Sequence, residues 1–243
     1  MPTPNQPMCE IVSQHSSAAA VLLRFDIDAR THASETLERA CADAQLSVEQ
    51  VLERLDEAAS KQDGASDADP SSYSLTRLIQ YIVRIHHRTG RQELPRLITT
   101  AQTLASEFGE RSPELVRVAA LLQDLHAAML AHFEKEEQVL FPYIAQLDEN
   151  AQLAHNPFLS GCQSTAAAVF YMAQEHGAAE RLLHEMEIVT NGFRPCHTAS
   201  RAQVAFYCAL KTFKKDLDRH IRLEDECLFP RALQVESSWQ RRG

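Results

Sequence analysis

Apolar residues recur at helical spacing through most of the chain. Leu75, Ile79, Ile82, Val83, Leu94 and Ile98 predict one long helix over about 75–107. Pro95 falls inside it and is expected to bend or break it. Ser112-Pro113-Glu114 reads as a cap followed by proline at the first helical position, opening a second helix to about Leu147. A third covers about Ser164 to Thr190, with Val169, Met172, Leu183 and Met186 on one stripe and Asn191-Gly192 as its stop. A fourth runs from about Ser200 to Leu233, with an interruption expected near Pro230. Four amphipathic helices joined by short connections predict an all-α, up-down-up-down four-helix bundle over residues 75–235.

The stretch Ala59–Ser74 lacks apolar periodicity and is rich in Ser, Asp and Pro, so it reads as a linker. Residues 1–58 before it carry short helical patterns at Ser34–Cys41 and Ser47–Leu55, the latter opened by a Ser47/Gln50 capping box. So small a helical N-terminal domain is expected to have little core of its own and to lean on the bundle or on a second copy.

Composition narrows the classes. Seven glycines in 243 residues starve a β-sandwich or a glycine-rich nucleotide fold of turns. A net charge of -9 argues against nucleic acid and anionic membranes as partners. No apolar run reaches the roughly 18–20 residues of a membrane span. The N-terminus lacks the basic head of a secretory signal, so a cytoplasmic protein is expected. None of the six cysteines stands in a CxxC pair, and they read as reduced and mostly structural. Eleven histidines against a single tryptophan raise the question of a metal.

An internal repeat answers it. His132-Phe-Glu-Lys-Glu136-Glu137-Gln-Val-Leu140-Phe141-Pro142 returns as His220-Ile-Arg-Leu-Glu224-Asp225-Glu-Cys-Leu228-Phe229-Pro230. A further histidine precedes each copy at matched distance: His176 before His220, and His86 or His87 before His132, which periodicity alone does not separate. Four-residue spacing puts histidine and glutamate on one helix face, within reach of one ion. Four imidazoles and two carboxylates exceed a tetrahedral zinc site and are too nitrogen-rich for calcium or magnesium. Shared between two metals they give two histidines each, with Glu136 and Glu224 bridging, a donor set that suits iron. His15, His32, His126, His155, His184 and His197 have no counterpart in the repeat and read as structural.

At these residues the sequence resembles the hemerythrin-like cation-binding family, and within it the iron-sulfur cluster repair di-iron proteins that respond to nitric oxide. The segments carrying the resemblance are Ile85–Pro95, HFEKEEQVLFP, MAQEHGAAERLL and HIRLEDECLFPRA. It implies a hemerythrin-like bundle whose ligands are His87, His132, Glu136, His176, His220 and Glu224, the run to Leu94-Pro95 selecting His87 over His86. Glu175 falls on a family glutamate position next to a ligand. The resemblance further implies two iron ions in an oxo- or hydroxo-bridged centre, with nitric oxide or dioxygen as ligand and damaged iron-sulfur proteins as clients. A homodimer through the N-terminal domain is a further expectation. Phe25–Asp28 and Thr36–Cys41 match the family's small first domain, but Arg30-Thr31-His32-Ala33 stands where that family usually carries adjacent cysteines. This departure favours nitric oxide binding over iron hand-off. The alternatives are a di-iron oxidase or oxygenase and a non-catalytic gas sensor. No histidine has glutamate three residues before it, the arrangement of ferritin-like enzymes.

Overall fold

A computed structural model describes residues 2–14, 18–29, 32, 35–64, 69–149, 165–196 and 198–240. Its regular structure is helical; the described residues add a single isolated antiparallel bridge, Pro7 to Thr36. The chain packs as two units: Met1–Asp67 with Thr190–Thr212, and Ala68–Val189 with Phe213–Gly243.

The first unit contains α1 (Met8–Gln14), α2 (Ala18–Leu23), α3 (Leu37–Asp43) and α4 (Val48–Gly64). Thr36 caps α3 through its hydroxyl, and Ser47 accepts from the Gln50 N–H at 3.4 Å at the head of α4. Contrary to the expectation of little core, Met8, Ile11, Leu22, Ile27, Leu37 and Val51 close over one another in a buried cluster. Residues 190–212 add to this unit, so it owns more chain than its N-terminal segment supplies. Arg201 reaches Glu35 at 3.0 Å from that added segment. α4 also extends to Gly64, into the stretch read as linker, because Ala58, Ala59, Lys61 and Gln62 are good helix formers. Asn191, Gly192 and Phe193 follow with φ of 51°, 75° and 54°, a left-handed run in which only the glycine escapes a Cβ penalty.

The second unit carries the long helices. α5 (Leu75–Ile82) opens at the Ser74 cap, which accepts from the Arg77 N–H at 3.2 Å. A π-helical turn, Val83–His87, leads directly into α6 (Arg88–Phe108). α7 (Pro113–Lys135) follows a short turn and runs antiparallel to α6, with Ser112 at its cap position but making no side-chain cap bond. A second π turn, Glu136–Leu140, joins α7 to α8 (Phe141–Glu149). α9 spans Thr165–Val189, and α10 (Arg201–Arg222), which belongs to this unit from Phe213 onward, continues through a third π turn, Leu223–Leu228, into α11 (Phe229–Gln240).

Two of the breaks expected at prolines do not occur. α6 runs through Pro95, and the last helix continues past Pro230. At Pro142 and Pro230 the carbonyl four residues back, on Gln138 and Glu226, lies inside a π turn. That wider turn relieves the clash between proline ring and carbonyl that ends an ordinary helix. Between the helices lies an apolar core that includes Leu78, Ile82, Leu140, Ile144, Leu228 and Phe229.

Candidate metal centre

All six residues named by the repeat and the resemblance converge inside the second unit. His87, Glu136 and Glu224 are fully buried, and His132, His176 and His220 nearly so. Their donor atoms form two groups, His87, Glu136, His220 and Glu224, and His132, Glu136, His176 and Glu224. Within each group the atoms lie within 4.8 Å of one another, and both carboxylates belong to both groups. Donors about 2.1 Å from one ion stand roughly 3–4 Å apart. Here His132 Nε2 lies 3.1 Å from His176 Nε2. His87 Nε2 and His132 Nε2 each stand 3.3 Å from Glu136 Oε2. Glu224 stands 3.1 Å from His176 Nε2 and 2.8 Å from His220 Nε2.

Three of the four helices bend their hydrogen-bond ladder at these residues. His87 closes the first π turn, Glu136 opens the second, and Glu224 sits in the third. Glu136 faces inward one helical turn after His132, and the π turn it opens widens the ladder beyond it, where Glu137 reaches sideways. Glu137 Oε1 accepts from His87 Nδ1 at 2.7 Å and from Arg91 at 2.7 Å. Asp225 does the same for His176 Nδ1 at 2.9 Å. Glu175 accepts from His132 Nδ1 at 3.0 Å and pairs with Lys135. Such carboxylates fix the imidazole tautomer, leaving the Nε2 lone pair facing inward, and raise its donor strength. Sequence reasoning had only Glu175 in this role. The acid following the ligand glutamate in both copies, Glu137 and Asp225, was the unused signal.

Electrostatics follow the same layout. Burial opposes charge on His87, but the neighbouring Glu136 and Glu224 carboxylates outweigh it and raise its pKa to about 9. Burial is likewise overcome at His176, where Asp225 and Glu224 raise the value to about 10. His132 is raised by Glu136 against its burial. His220 alone is lowered, first by burial, despite the nearby Glu224. Glu224 is held well below its usual range despite burial, chiefly by the neighbouring His220 and His176 imidazoles.

Phe141 and Phe229, the repeat's Leu-Phe-Pro phenylalanines, lie against the ligand rings. Phe141 stacks on His87 at 5.6 Å, and Phe229 on His176 at 6.1 Å. His86, the neighbour of His87, is buried outside both donor groups. Its Nδ1 donates to Asp216 at 2.9 Å, and its ring stacks on His220 at 5.8 Å with 6° between planes. His32 bonds Glu35, His184 is exposed and His126 is half-buried, all away from the donor groups. His15, His155 and His197 lie outside the described residues, as do Arg30, Thr31 and Ala33.

A helical bundle with two overlapping His/Glu donor groups in its interior defines a metal-binding bundle protein. Residues 78–232 match the hemerythrin HHE cation binding domain. The chain belongs to that family. It is also similar along nearly its whole length to curated proteins. It is 30% identical to the iron-sulfur cluster repair protein YtfE of Enterobacter sp. (strain 638), over 96% of this chain and 98% of that one. The protein of the same name from Escherichia coli O17:K52:H18 gives the same figures, 30% over 96% and 98%. A probable iron-sulfur cluster repair protein of Haemophilus influenzae is 29% identical over 94% of this chain and 96% of its own.

Proposed function

We propose that the chain holds two iron ions and binds nitric oxide, or dioxygen, at them, as a cytoplasmic protein of the nitrosative and oxidative stress response related to iron-sulfur cluster repair. The observation that carries this reading is the sharing of Glu136 and Glu224 by two donor groups that each contribute two histidines. A single-ion site would leave two of the four histidines idle. Their bonding state fits the group. His87 Nε2, both Glu136 oxygens and Glu224 Oε2 are buried with no hydrogen-bond partner. Buried polar atoms without partners cost about 1–3 kcal/mol each, a cost that cation ligation removes. When bound, ferrous iron supplies open coordination positions and electron density for a diatomic ligand.

The protein's own part is to hold, orient and shield. His87 and His220 face one position and His132 and His176 the other, while Glu136 and Glu224 span both. Glu137, Glu175 and Asp225 set the tautomers of three of these imidazoles. Phe133, packed 4.3 Å from the His87 ring, Phe141 and Phe229 wall the centre in apolar surface, with Met172 and Leu183 buried on the helix that carries His176. Such walls keep bulk water from the ligand site. The names of the relatives support a role in iron-sulfur repair. With that role we propose damaged iron-sulfur proteins as clients, and a homodimer as the assembly. The test is metal analysis joined to nitric oxide titration of the reduced protein. About two irons per chain and a new nitrosyl spectrum are expected. Two irons with no spectral change would leave the oxygen-dependent di-iron enzyme as the better reading.

A further inference from the structure

The four ligand imidazoles are not backed equally from outside. In the pair His132 and His176, both rings donate Nδ1–H to a carboxylate, His132 to Glu175 at 3.0 Å and His176 to Asp225 at 2.9 Å. In the pair His87 and His220, His87 alone does so, to Glu137 at 2.7 Å. Even that bond is shared. The same oxygen, Glu137 Oε1, also accepts from Arg91, whereas Glu175 meets His132 and Lys135 through different oxygens. Among the described residues the one carboxylate bonded to His220 is Glu224, which it meets through Nε2, the nitrogen facing the centre. Beside the His220 ring lies His86, 5.8 Å away and within 6° of parallel. It does not do a carboxylate's work. Its own Nδ1–H is committed to Asp216 at 2.9 Å, and a parallel ring meets the π face of His220 instead of the in-plane Nδ1–H.

Taking the two-iron reading as its basis, we infer that the two positions hold iron unequally: the ion between His132 and His176 is retained, and the ion between His87 and His220 is exchangeable, the first given up to a competing ligand. A carboxylate bonded in the plane of a ligand imidazole strengthens it as a donor, and losing such a partner costs about 10–100-fold in metal affinity. Glu136 and Glu224 are common to both groups, so the difference falls to the backing carboxylates, two for one pair and one for the other. His86 is then a positioning residue that sets this order. It stands where the other half of the repeat carries Glu175, and it leaves His220 the weakest donor of the four. Withdrawal of the exchangeable ion leaves Glu136 and Glu224 still neutralised by the retained one, so the site does not become a set of unpaired buried charges.

The test equilibrates the full-length, ferrous, iron-loaded protein, without oxygen, with enough chelator to withdraw one iron per chain. Anomalous diffraction from its crystals then reads the iron left at each position. A 10–100-fold difference in affinity leaves the His132/His176 position about three-quarters to nine-tenths filled and the His87/His220 position correspondingly empty. Glu175→Gln leaves each pair with one backed ring and should bring the two occupancies together. Glu137→Gln leaves His87 and His220 both unbacked and should drive them further apart. Both replacements keep the side chain's size at partly exposed positions, so a general loosening of the bundle would move the two variants the same way. In solution the chelator-competition curve of the wild type should be broader than that of Glu175→Gln. Equal filling in the wild type, or loss first from the His132/His176 position, would overturn the inference. So would shifts of the same sign in the two variants. A protein that takes up a single iron would instead overturn the two-iron reading itself.

Discussion

The two halves of the repeat are built alike and end differently. In each, the acid after the ligand glutamate hydrogen-bonds the histidine of the preceding helix, Glu137 to His87 and Asp225 to His176. In each, the phenylalanine of Leu-Phe-Pro lies on that same histidine, Phe141 on His87 and Phe229 on His176. The halves part at the residue before that histidine. Glu175, before His176, backs the ring of His132 across the bundle. By the same relation the residue before His87 should back His220, and that residue is His86, which offers a flat stacked ring in place of a carboxylate. Asp216 holds the His86 Nδ1–H, and its Nε2 is buried without a partner. His220 is also the one ligand imidazole with a lowered pKa, chiefly through its burial. Repetition of the ligands therefore does not make the two donor groups equivalent.

Packing beside the ligands shows the same divergence. Three residues after the first-helix histidine stands Gly90 in one half and Ala179 in the other; the residue after the H-x-x-x-E histidine is Phe133 in one and Ile221 in the other. A Cβ on Gly90 would come within 2.9 Å of the Phe133 ring. In the first half the missing Cβ of Gly90 makes room for the large ring of Phe133.

The largest effect should come from the shared carboxylates. Glu136→Ala and Glu224→Ala should each reduce iron from about two per chain to one or none by elemental analysis. A full complement in either variant would break the equivalence of the two bridges. Next come the backing carboxylates, where Glu137→Ala, Glu175→Ala and Asp225→Ala should each weaken metal binding about 10–100-fold in chelator competition. His86→Ala should keep its full metal content. If it costs as much as Glu175→Ala, the halves are more alike than their chemistry indicates.

Packing changes should be smaller. Gly90→Ala gains up to about 1 kcal/mol of helix propensity but overpacks the Phe133 ring, costing about 1–3 kcal/mol. A net loss in urea unfolding is expected, and adding Phe133→Ile, which copies the other half, should recover most of it. If Gly90→Ala instead stabilises the protein, the ring moves freely and the packing comparison fails.

The gentlest effect is on pH. His87 and His176, raised from 6.5 to about 9 and about 10, stabilise the metal-free fold through their charged forms. That contribution is complete below pH 6.5 and is lost as pH rises through 9 to 10, so the melting temperature of the metal-free protein should fall across this window. Metal loading near pH 8 should release protons, because ligation takes the lone pairs these protons occupy. A melting temperature that climbs over the same window would show that these imidazoles are neutral without metal.

The bundle and five of the six converging residues were legible because they rest on local periodicity and on a repeated H-x-x-x-E that fixes side-chain direction within one turn, whereas only the family resemblance chose His87 over His86. Family membership was legible for the same reason, since the motifs that carry it are contiguous. Three things were not. The π turns and unbroken helices at Pro95 and Pro230 depend on how a whole ladder relaxes around a ring or a buried ligand. The assignment of residues 190–212 to the first unit depends on contacts between segments far apart in the chain. His86 facing His220 depends on two helices meeting at one level. Spacing along one helix determines which side chains share its face. What stands opposite that face, and so the strength of each histidine as a donor, is settled only when the helices pack.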